Sequence, residues 1–195
     1  MDSIEKVWRN IFQSPGVWAK ILVGTCLSLI PIMHFFALGY IYRFTLQIRQ
    51  GYRIELPEWD NWKDLFLDGL KFFLLLLVWL GIPLLIGRFI NLVLGVVADD
   101  FGKLAFMMSI PFGFALAGAS LFRFQTFESF KDALDLTKIM RMYIITFKFG
   151  LVPLLAACGI FWLTGMLSIL LLFTIGLLIF AYFTSLFRAL EKGFL

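Results

Sequence analysis

An all-α, polytopic transmembrane helical bundle is the fold that this sequence predicts, with five or six membrane segments and amphipathic membrane-surface helices on the cytoplasmic face. Hydrophobic residues make up 61% of the 195 residues and charged residues 15%, whereas soluble domains are about 45–50% apolar and about 25% charged. The apolar residues fall in runs of about 20, the length that a bilayer core about 30 Å thick requires. Most basic residues stand beside these runs, where interfacial charges anchor membrane helices.

The chain begins with a predicted surface helix over residues 2–13. Apolar side chains recur on one face of this helix, and polar side chains fall elsewhere on the helical wheel. Ser14-Pro15-Gly16 then breaks the pattern. We expect the helix to lie in the membrane surface, with an apolar face formed by Ile4, Val7, Trp8, Ile11 and Phe12.

The first apolar stretch covers about residues 17–42 and has Pro31 near its middle. Two interpretations stay open. The chain could bend at Pro31 and return as a shallow re-entrant hairpin buried against the other helices. It could instead cross once, as the matching position of Pro111 in the third stretch indicates. We favour the hairpin, because it leaves the basic residues near the N-terminus in the cytoplasm.

Four further membrane segments follow, and we expect one integral membrane domain over residues 1–195. The turns between them, at 98–102 and 164–165, are too short to hold a second domain. The four segments cover about residues 70–98, 104–122, 142–163 and 166–187.

Two longer polar connections predict surface helices over about residues 57–69 and 127–140. In the first, Pro57 stands where a helix would start. One face of each helix is aromatic, and such side chains would sink into the headgroup region as interfacial anchors. The candidate anchors are Trp59, Trp62 and Phe66 in the first helix and Phe127 and Phe130 in the second.

The two connections also resemble each other. Residues 59–64 and 127–132 share the pattern aromatic-acid-polar-aromatic-Lys-Asp, 68 positions apart. Upstream, Tyr42-Arg43-Phe44 parallels Phe122-Arg123-Phe124, and Leu186-Phe187-Arg188 repeats part of this motif. Internal duplication is common in membrane proteins, and we predict one here.

The distribution of basic residues predicts the orientation. Fifteen of the 17 lie before residue 21, in 43–71, in 123–148 or in 188–192, and only Arg88 and Lys103 stand near the acidic turn between the second and third segments. By the positive-inside rule, both surface helices and the C-terminus face the cytoplasm. The formal net charge of +4 fits attraction to anionic lipid headgroups. No basic patch of the kind that binds nucleic acid is present.

The region from Val17 to Leu70 resembles a known family of membrane proteins, domain-of-unknown-function family 4013. The resemblance rests on the run from Val17 to Gly24, on Gly39-Tyr40, and on the fairly specific Leu56-Pro57-Glu58-Trp59 element. It covers about residues 15–85, and residues 125–195 add only generic membrane character. It implies a multi-pass protein of the prokaryotic cell (inner) membrane and carries over no site residues.

Three polar residues within the apolar segments form a candidate intramembrane polar site. His34 lies near Pro31, and Arg88 and Asn91 interrupt the second segment. An intramembrane histidine can bind a haem or relay protons, and intramembrane charge is a functional hypothesis by default. A helix–helix hydrogen bond from His34 and snorkelling of Arg88 to the outer interface are the structural alternatives.

Asp60, Asp64 and Asp68 recur every four residues, so they would line the polar face of the first surface helix. Ligands one turn apart on a straight helix rarely converge on one cation. We therefore interpret the row as a candidate docking face for a basic partner.

The apolar segments offer little for enzyme chemistry. Nucleophilic, acid–base or zinc chemistry needs His, Cys, Asp or Glu side chains that converge, whereas the segments supply only His34, Cys26 and Cys158. We expect no catalytic residue, no metal and no cofactor. The sequence favours a non-enzymatic membrane subunit, a scaffold, anchor or accessory component in contact with the lipid bilayer and with a protein partner or another copy of itself. The alternative is a small transporter or channel for a solute, ion or lipid.

Overall fold

The computed structural model describes residues 4–52, 54–95, 99–164 and 168–193. These residues are about 85% helical and contain no strand, so the predicted all-α bundle is confirmed. The helices are α1 (Ile4–Phe12), α2 (Val17–Leu29), α3 (His34–Gln50), α4 (Trp62–Trp79), α5 (Gly81–Leu94), α6 (Asp99–Phe127), α7 (Phe130–Ala133), α8 (Leu136–Thr164) and α9 (Ser168–Glu191).

Four helical segments in the described part of the chain are long and apolar enough to cross a membrane: Trp62–Leu94, Asp99–Phe127, Leu136–Ala156 and Leu171–Glu191. The first of these contains α4 and α5, which are separated at Leu80. Helix α2 is also apolar but has 13 residues, about 20 Å of helix, which is too short for a bilayer core of about 30 Å. The chain is a multi-pass membrane protein.

The chain divides into two compact units. The first consists of Met1–Phe73 and Ile145–Leu195, and the second of Leu74–Ile144. The first unit therefore holds α1, α2, α3, α9, the start of α4 and the later part of α8. The second holds α5, α6, α7, the end of α4 and the start of α8.

In the first unit, α2 and α3 pack against each other as a helical hairpin whose turn is residues 30–33. Pro31 cannot continue the helix because it has no backbone N–H. The next residue, Ile32, has a φ of 67°, a conformation that is rare for a β-branched residue. The chain thus reverses at residues 30–33, and the turn is exposed instead of buried as the hairpin interpretation expected.

The prolines that the duplication would match differ in structure. Helix α6 continues through Pro111 without interruption, whereas the chain reverses at Pro31. A proline within a helix can either bend the helix or end it, depending on the backbone conformation of the residues that follow. Here the left-handed conformation of Ile32 completes the reversal.

Glycines bring the hairpin close to α4. A side chain at Gly39 of α3 would collide with the backbone carbonyl of Leu65, and one at Gly69 of α4 would collide with that of Phe35. The two helices therefore meet backbone to backbone, an approach that small residues permit in membrane proteins. No other residue type fits either position without moving a helix.

Helix α9 covers the other side of the hairpin and also receives α1. Gly24 of α2 leaves room for the ring of Phe173. Val7 and Ile11 of α1 are fully buried. Part of the apolar face of α1 is therefore covered by protein, and the position of this helix in the membrane surface stays a prediction.

In the second unit, α5 and α6 form a closely packed pair. Gly87 of α5 faces Ser109 of α6, and Gly113 of α6 faces Leu80. The small residues that follow Gly113 are buried as well: Ala115, Ala117, Gly118, Ala119 and Ser120. This small-residue face serves packing within the chain.

The two predicted surface helices have different bounds in the structure. Residues 57–61 are not helical, and α4 begins only at Trp62 and then runs without a break to Trp79. Pro57 therefore starts no helix. The second predicted helix is divided among the end of α6, the four-residue α7 and the start of α8. Ala98 and Gly165, parts of two predicted turns, lie outside the described residues.

Candidate functional site

Residues 54–61, the first strap, form a non-helical segment between α3 and α4 that is tied to α2. The Lys20 ammonium donates hydrogen bonds to the Leu56 carbonyl oxygen at 2.9 Å and to the Glu58 carboxylate at 2.7 Å. The Leu56 N–H donates to the Ser14 hydroxyl at 3.2 Å. The Lys20 side chain is 8% exposed and that of Glu58 76%. A buried cation is thus paired with a solvated anion, and both backbone groups of Leu56 are bonded.

Helix α3 holds the other end of the first strap. The Tyr40 hydroxyl donates to the Pro57 carbonyl oxygen at 2.8 Å. The Arg43 guanidinium donates to the Asp60 carbonyl oxygen at 3.1 Å and forms an ion pair with the Asp60 carboxylate. Backbone and side chain of one aspartate are therefore bound by the same planar group, a geometry suited to arginine.

Trp59 connects the α2 and α3 sides of the first strap. Its ring stacks on Tyr40 with centroids 4.1 Å apart, and its indole N–H donates to the Lys20 carbonyl oxygen at 3.3 Å. A shallow depression of about 420 Å³ lies between the start of α2 and residues Glu58 and Trp59. Lys20 and Glu58 both line the depression, and the Lys20 ammonium already has two acceptors. The other lining side chains are apolar or aromatic.

Residues 128–135 form the second strap, which lies in the second unit and includes α7. The Arg123 Nε donates to the Asp132 carbonyl oxygen at 3.0 Å, and its Nη2 donates to the Asp132 carboxylate at 3.2 Å. The Ala133 carbonyl oxygen accepts two hydrogen bonds, from the Ser120 hydroxyl at 2.7 Å and from the Trp79 indole at 3.0 Å.

Asp135 is the last residue of the second strap and directly precedes α8, which starts at Leu136. Its carboxylate accepts a hydrogen bond from the Lys138 backbone N–H at 3.2 Å, the contact of a helix N-cap. That hydrogen bond, together with one from the Lys138 side chain, lowers the pKa of the Asp135 carboxyl group. The predicted surface helix 127–140 failed here, because this cap starts a new helix in the middle of it.

Arg43 and Arg123, which the predicted duplication matches, make the same contact in their two units. Each binds the backbone carbonyl and the carboxylate of one strap aspartate. Three residues earlier on each helix, the hydroxyl of Tyr40 or Ser120 donates to a strap carbonyl. Arg188, from the third motif, donates to a backbone carbonyl at the end of α3 at 3.2 Å. The two bound aspartates are not a matched pair, because the 68-position offset aligns Asp60 with Glu128 and Asp132 with Asp64. The two units therefore share an arginine–strap contact, and the duplication stays a prediction.

The predicted row of three free aspartates is not present. Asp60 precedes α4 by two residues and is paired with Arg43, and Asp68 is paired with Lys71 at 2.9 Å. Asp64 lies on the first turn of α4, is exposed, and forms no ion pair with any residue that the structure describes. The straight row was wrong because the helix does not extend back to Asp60.

The aromatic residues near the first strap pack on α3 more than the anchor interpretation predicts. Trp59 is half-buried on Tyr40, and the Phe66 ring lies 5.4 Å from that of Phe36. Trp62 lies 5.5 Å from Phe36 but stays 46% exposed. Of these three candidate anchors, only Trp62 presents a large apolar surface outside the protein.

The two candidate anchors of the second connection remain exposed. Phe127 ends α6 and Phe130 begins α7, with exposures of 55% and 41%. The Arg123 guanidinium lies 5.0 Å above the Phe127 ring, a cation–π distance. Interfacial anchoring by these two residues stays a prediction that agrees with their exposure.

The candidate intramembrane polar residues do not form one described cluster. His34 lies in the first unit, where its half-buried ring is 4.2 Å from that of Phe35 and 5.7 Å from that of Phe73. Arg88 and Asn91 lie on α5 in the second unit, Arg88 exposed and Asn91 half-buried. His34 therefore has an aromatic environment, and Arg88 has the exposure that snorkelling requires.

No three His, Cys, Asp or Glu side chains in the described ranges are placed to hold a metal ion together. Cys26 is an exposed free thiol on α2. The side chain of Cys158 lies outside the described part of the chain.

The model of the family "protein of unknown function (DUF4013)" matches residues 24–193. The chain belongs to this family. The match includes both straps and all or nearly all of each candidate span. It leaves out residues 15–23 of the region over which the sequence resemblance was expected, and it extends past residue 85 to residue 193. No curated protein and no solved structure matches the chain.

The family resemblance and the first strap involve the same residues. Gly39 makes the close helix contact and Tyr40 binds the Pro57 carbonyl, while Leu56, Pro57, Glu58 and Trp59 are the strap residues that α2 and α3 hold. Sequence reasoning treated Pro57 as a helix start, Trp59 as an interfacial anchor and the other residues only as family markers. Their physical role is to fix the strap on the hairpin, and the family motif was the signal that could have located this site.

Proposed function

We propose that this chain is a non-enzymatic subunit of the prokaryotic cell membrane that serves as a scaffold, anchor or accessory component of a membrane complex. The observation that carries the proposal is the first strap, a polar segment held by Ser14, Lys20, Tyr40 and Arg43 against the α2–α3 hairpin. A surface whose backbone is already fixed loses little conformational entropy when a partner binds. This property suits docking better than it suits a part that must move during transport.

The proposed docking face lies where the first strap meets α4. Glu58 and Asp64 present exposed carboxylates there, and a basic segment of a partner protein would complement them. Asp60 and Asp68 belong to the same face, although each is already balanced by a basic residue of this chain. A second copy of the chain is the other candidate occupant.

Co-purification from native membranes in mild detergent, followed by mass spectrometry, tests this proposal. We expect a stoichiometric partner that the double variant Glu58→Gln, Asp64→Asn releases, because both carboxylates lose their charge while Gln can still accept a hydrogen bond from Lys20. Asp100→Asn is the matched control, since it removes an exposed carboxylate at the start of α6. Retention of every partner by the double variant would remove the docking role from this face.

We also propose that both straps and the C-terminus face the cytoplasm, which the positions of the basic residues support. Single cysteines at Ser129 and Lys192, in a background without the native two, should resist a membrane-impermeant thiol reagent in intact cells. The same cysteines should react after the cells are permeabilised. Labelling of either position in intact cells contradicts this orientation.

A small transporter or channel is the second candidate function. Its support is the pair of breaks in apolar helices, at residues 30–33 and at Leu80, since transporters often build their sites from discontinuous helices. Ion and solute flux into vesicles that contain the purified chain alone would favour this alternative. Flux that is equal in protein-free vesicles would remove it.

A further inference from the structure

We propose that Arg49 and Arg188, which both lie in the first unit, form a binding site for a phosphate group at the end of α3. The ligand is the headgroup of an anionic lipid or free inorganic phosphate, since both offer phosphate oxygens to the two guanidinium groups. The site uses no residue of the proposed docking face, so failure of the partner proposal would leave it unaffected.

Charge balance distinguishes these two side chains from the other basic residues. In the described part of the chain, five cationic residues are buried or half-buried: Lys20, Arg43, Arg49, Arg123 and Arg188. Lys20, Arg43 and Arg123 each pair with a carboxylate of this chain. Arg49 and Arg188 form no ion pair with any described residue. Because a charge withdrawn from water is normally paired, these two lack the counter-charge that the others have.

Arg188 lies against the main chain where α3 ends. Its Nη1 donates to the Ile48 carbonyl oxygen at 3.2 Å, and a side chain at Gly51 would collide with its Nη2. The guanidinium therefore occupies space that the glycine leaves open. The Ile48 carbonyl also accepts the Gly51 N–H at 3.1 Å, so the end of α3 is capped by backbone. Capping alone does not account for the position of this arginine.

Arg49 belongs to the same end of α3. It follows Ile41 at two intervals of four residues, which places both on one side of the helix, and Ile41 faces Gly176 of α9. Arg49 is thus directed toward the helix that carries Arg188. The Arg49 Nε is buried and has no hydrogen-bond partner among the described residues.

The open donors and the local charge both suit a phosphate group. Each guanidinium carries five N–H donors, and within the described ranges the bond to Ile48 is the only one from either side chain. The C-terminal ends of α3 and α9 each offset about half a positive charge, and the exposed residues Glu191 and Lys192 cancel each other. A net charge of about +1 remains. Planar guanidinium groups match phosphate oxygens, and a tetrahedral phosphate has enough oxygens for two arginines.

Titrations of the full chain in dodecyl maltoside test the proposal. Native mass spectrometry measures the dissociation constant for phosphatidylglycerol, with phosphatidylcholine, whose headgroup has no net charge, as the control lipid. Isothermal titration calorimetry measures the dissociation constant for sodium phosphate at constant ionic strength. We expect saturable binding of one molecule of phosphatidylglycerol or of inorganic phosphate. Binding of the lipid alone would identify a headgroup as the ligand, and binding of inorganic phosphate would identify a free anion.

Arg49→Gln is the decisive variant, because the Arg49 side chain has no described hydrogen bond or ion pair to lose. It should elute and unfold like the parent but bind the probe about tenfold more weakly, as expected when a hydrogen bond between charged groups is lost. Arg188→Lys keeps the charge without the planar fork and should bind severalfold more weakly. Arg141→Gln is the matched control, since it removes an exposed positive charge from α8 and should bind like the parent.

Two outcomes would overturn the proposal. The first is that the parent binds neither probe saturably. The second is that Arg49→Gln binds as tightly as Arg141→Gln, which would show attraction to the net charge of the protein instead of a site. If Arg49→Gln does not elute like the parent, the comparison of Arg188→Lys with Arg141→Gln decides in the same way.

Discussion

The first and second straps are both held by an arginine from the preceding helix, but their surroundings differ. In the first unit an additional helix, α2, contributes the buried ammonium of Lys20, and the strap stays extended. In the second unit the Ser120 hydroxyl and the Trp79 indole bind the Ala133 carbonyl, Lys138 pairs with Asp132, and the strap folds into α7. The comparison indicates that an arginine holds each strap, while the neighbouring helices decide the conformation of the strap.

The difference also has an energetic side. A hydrogen bond from a charged group contributes about 1.5–3 kcal/mol and one between neutral groups about 0.5–1.5 kcal/mol. Each strap is therefore bound by a largely buried cation, Lys20 in the first and Arg123 in the second, and the second strap adds neutral contacts from Ser120 and Trp79. The following variants separate these two modes of attachment.

The largest effect is expected where the hairpin meets α4. Gly39→Ala places a Cβ against the Leu65 backbone carbonyl, which cannot move without shifting a helix. We therefore expect the free energy of unfolding to fall by more than about 3 kcal/mol, or no folded protein at all. In the second unit, the Cβ that Gly113→Ala adds would lie 3.1 Å from the Leu80 Cα. This variant should lower the free energy of unfolding by about 1–3 kcal/mol. Thermal unfolding in detergent, followed by size-exclusion chromatography, measures both.

Gly176→Ala provides the control for these substitutions. Its Cβ would meet only the Ile41 side chain at 3.6 Å, an ordinary contact, and alanine favours a helix by about 1 kcal/mol over glycine. Unfolding temperatures at or slightly above that of the parent are expected. Equal losses in all three variants would show that the backbone contact is not what distinguishes Gly39.

Removal of the buried ammonium should give the next largest effect. Lys20→Met leaves the Leu56 carbonyl without a donor and Glu58 without its partner. We therefore expect the free energy of unfolding to fall by about 1.5–3 kcal/mol. The control Lys71→Met breaks an ion pair whose lysine is 46% exposed and should lose at most about 1 kcal/mol. If urea unfolding gives the same midpoint for both variants, the first strap does not depend on a buried charge.

The two strap aspartates should differ in a similar but smaller way. The Asp132 side chain is 33% exposed and binds both Arg123 and Lys138, whereas that of Asp60 is 62% exposed. We expect Asp132→Asn to lower the free energy of unfolding by about 1 kcal/mol and Asp60→Asn by less than about 0.5 kcal/mol. The reverse order would indicate that solvent exposure does not set the strength of these pairs.

The smallest effect, and the one that depends on pH, is expected at Asp135. Its folded-state pKa is lowered by the Lys138 N–H, so its contribution to stability is present above the unfolded pKa, about 3.9. It disappears as the pH falls through the lower folded-state value. Asp135→Ala should therefore unfold at a slightly lower temperature than the parent at pH 7. The difference between the two unfolding temperatures should disappear at acidic pH. Asp135→Asn still caps the helix and should keep a pH-independent part of this contribution.

The sequence predicted the elements that depend on local pattern. Apolar runs gave the bundle and the long segments, and the family motif gave the region of the first strap. The bend at Pro31 followed from the missing N–H of proline. The continuation of α3 to Gln50 was not predicted, because this polar part of the helix packs on α9, which is distant in the chain.

The failures involve contacts between residues far apart in the chain. Helical periodicity placed Trp59 and Asp60 on one helix with Asp64, but Trp59 donates a hydrogen bond to the Lys20 carbonyl oxygen and Arg43 donates one to the Asp60 carbonyl oxygen, which holds both residues in a non-helical segment. These partners are 39 and 17 residues away. A helical wheel considers only neighbours within one or two turns, so it cannot weigh such competition. For the same reason, Gly39 and Gly69 were not recognised as partners.

The contact of Gly39 with Gly69 also limits how sequences with this fold can diverge. Most packing faults can be corrected by a smaller side chain opposite, but here each glycine opposes main chain, which mutation does not alter. No second substitution at the partner position can therefore restore the fit. Among natural variants, both positions should remain glycine even where Trp59 or Asp64 is replaced by another residue. Lineages that lose one glycine should also have lost the contact between α3 and α4.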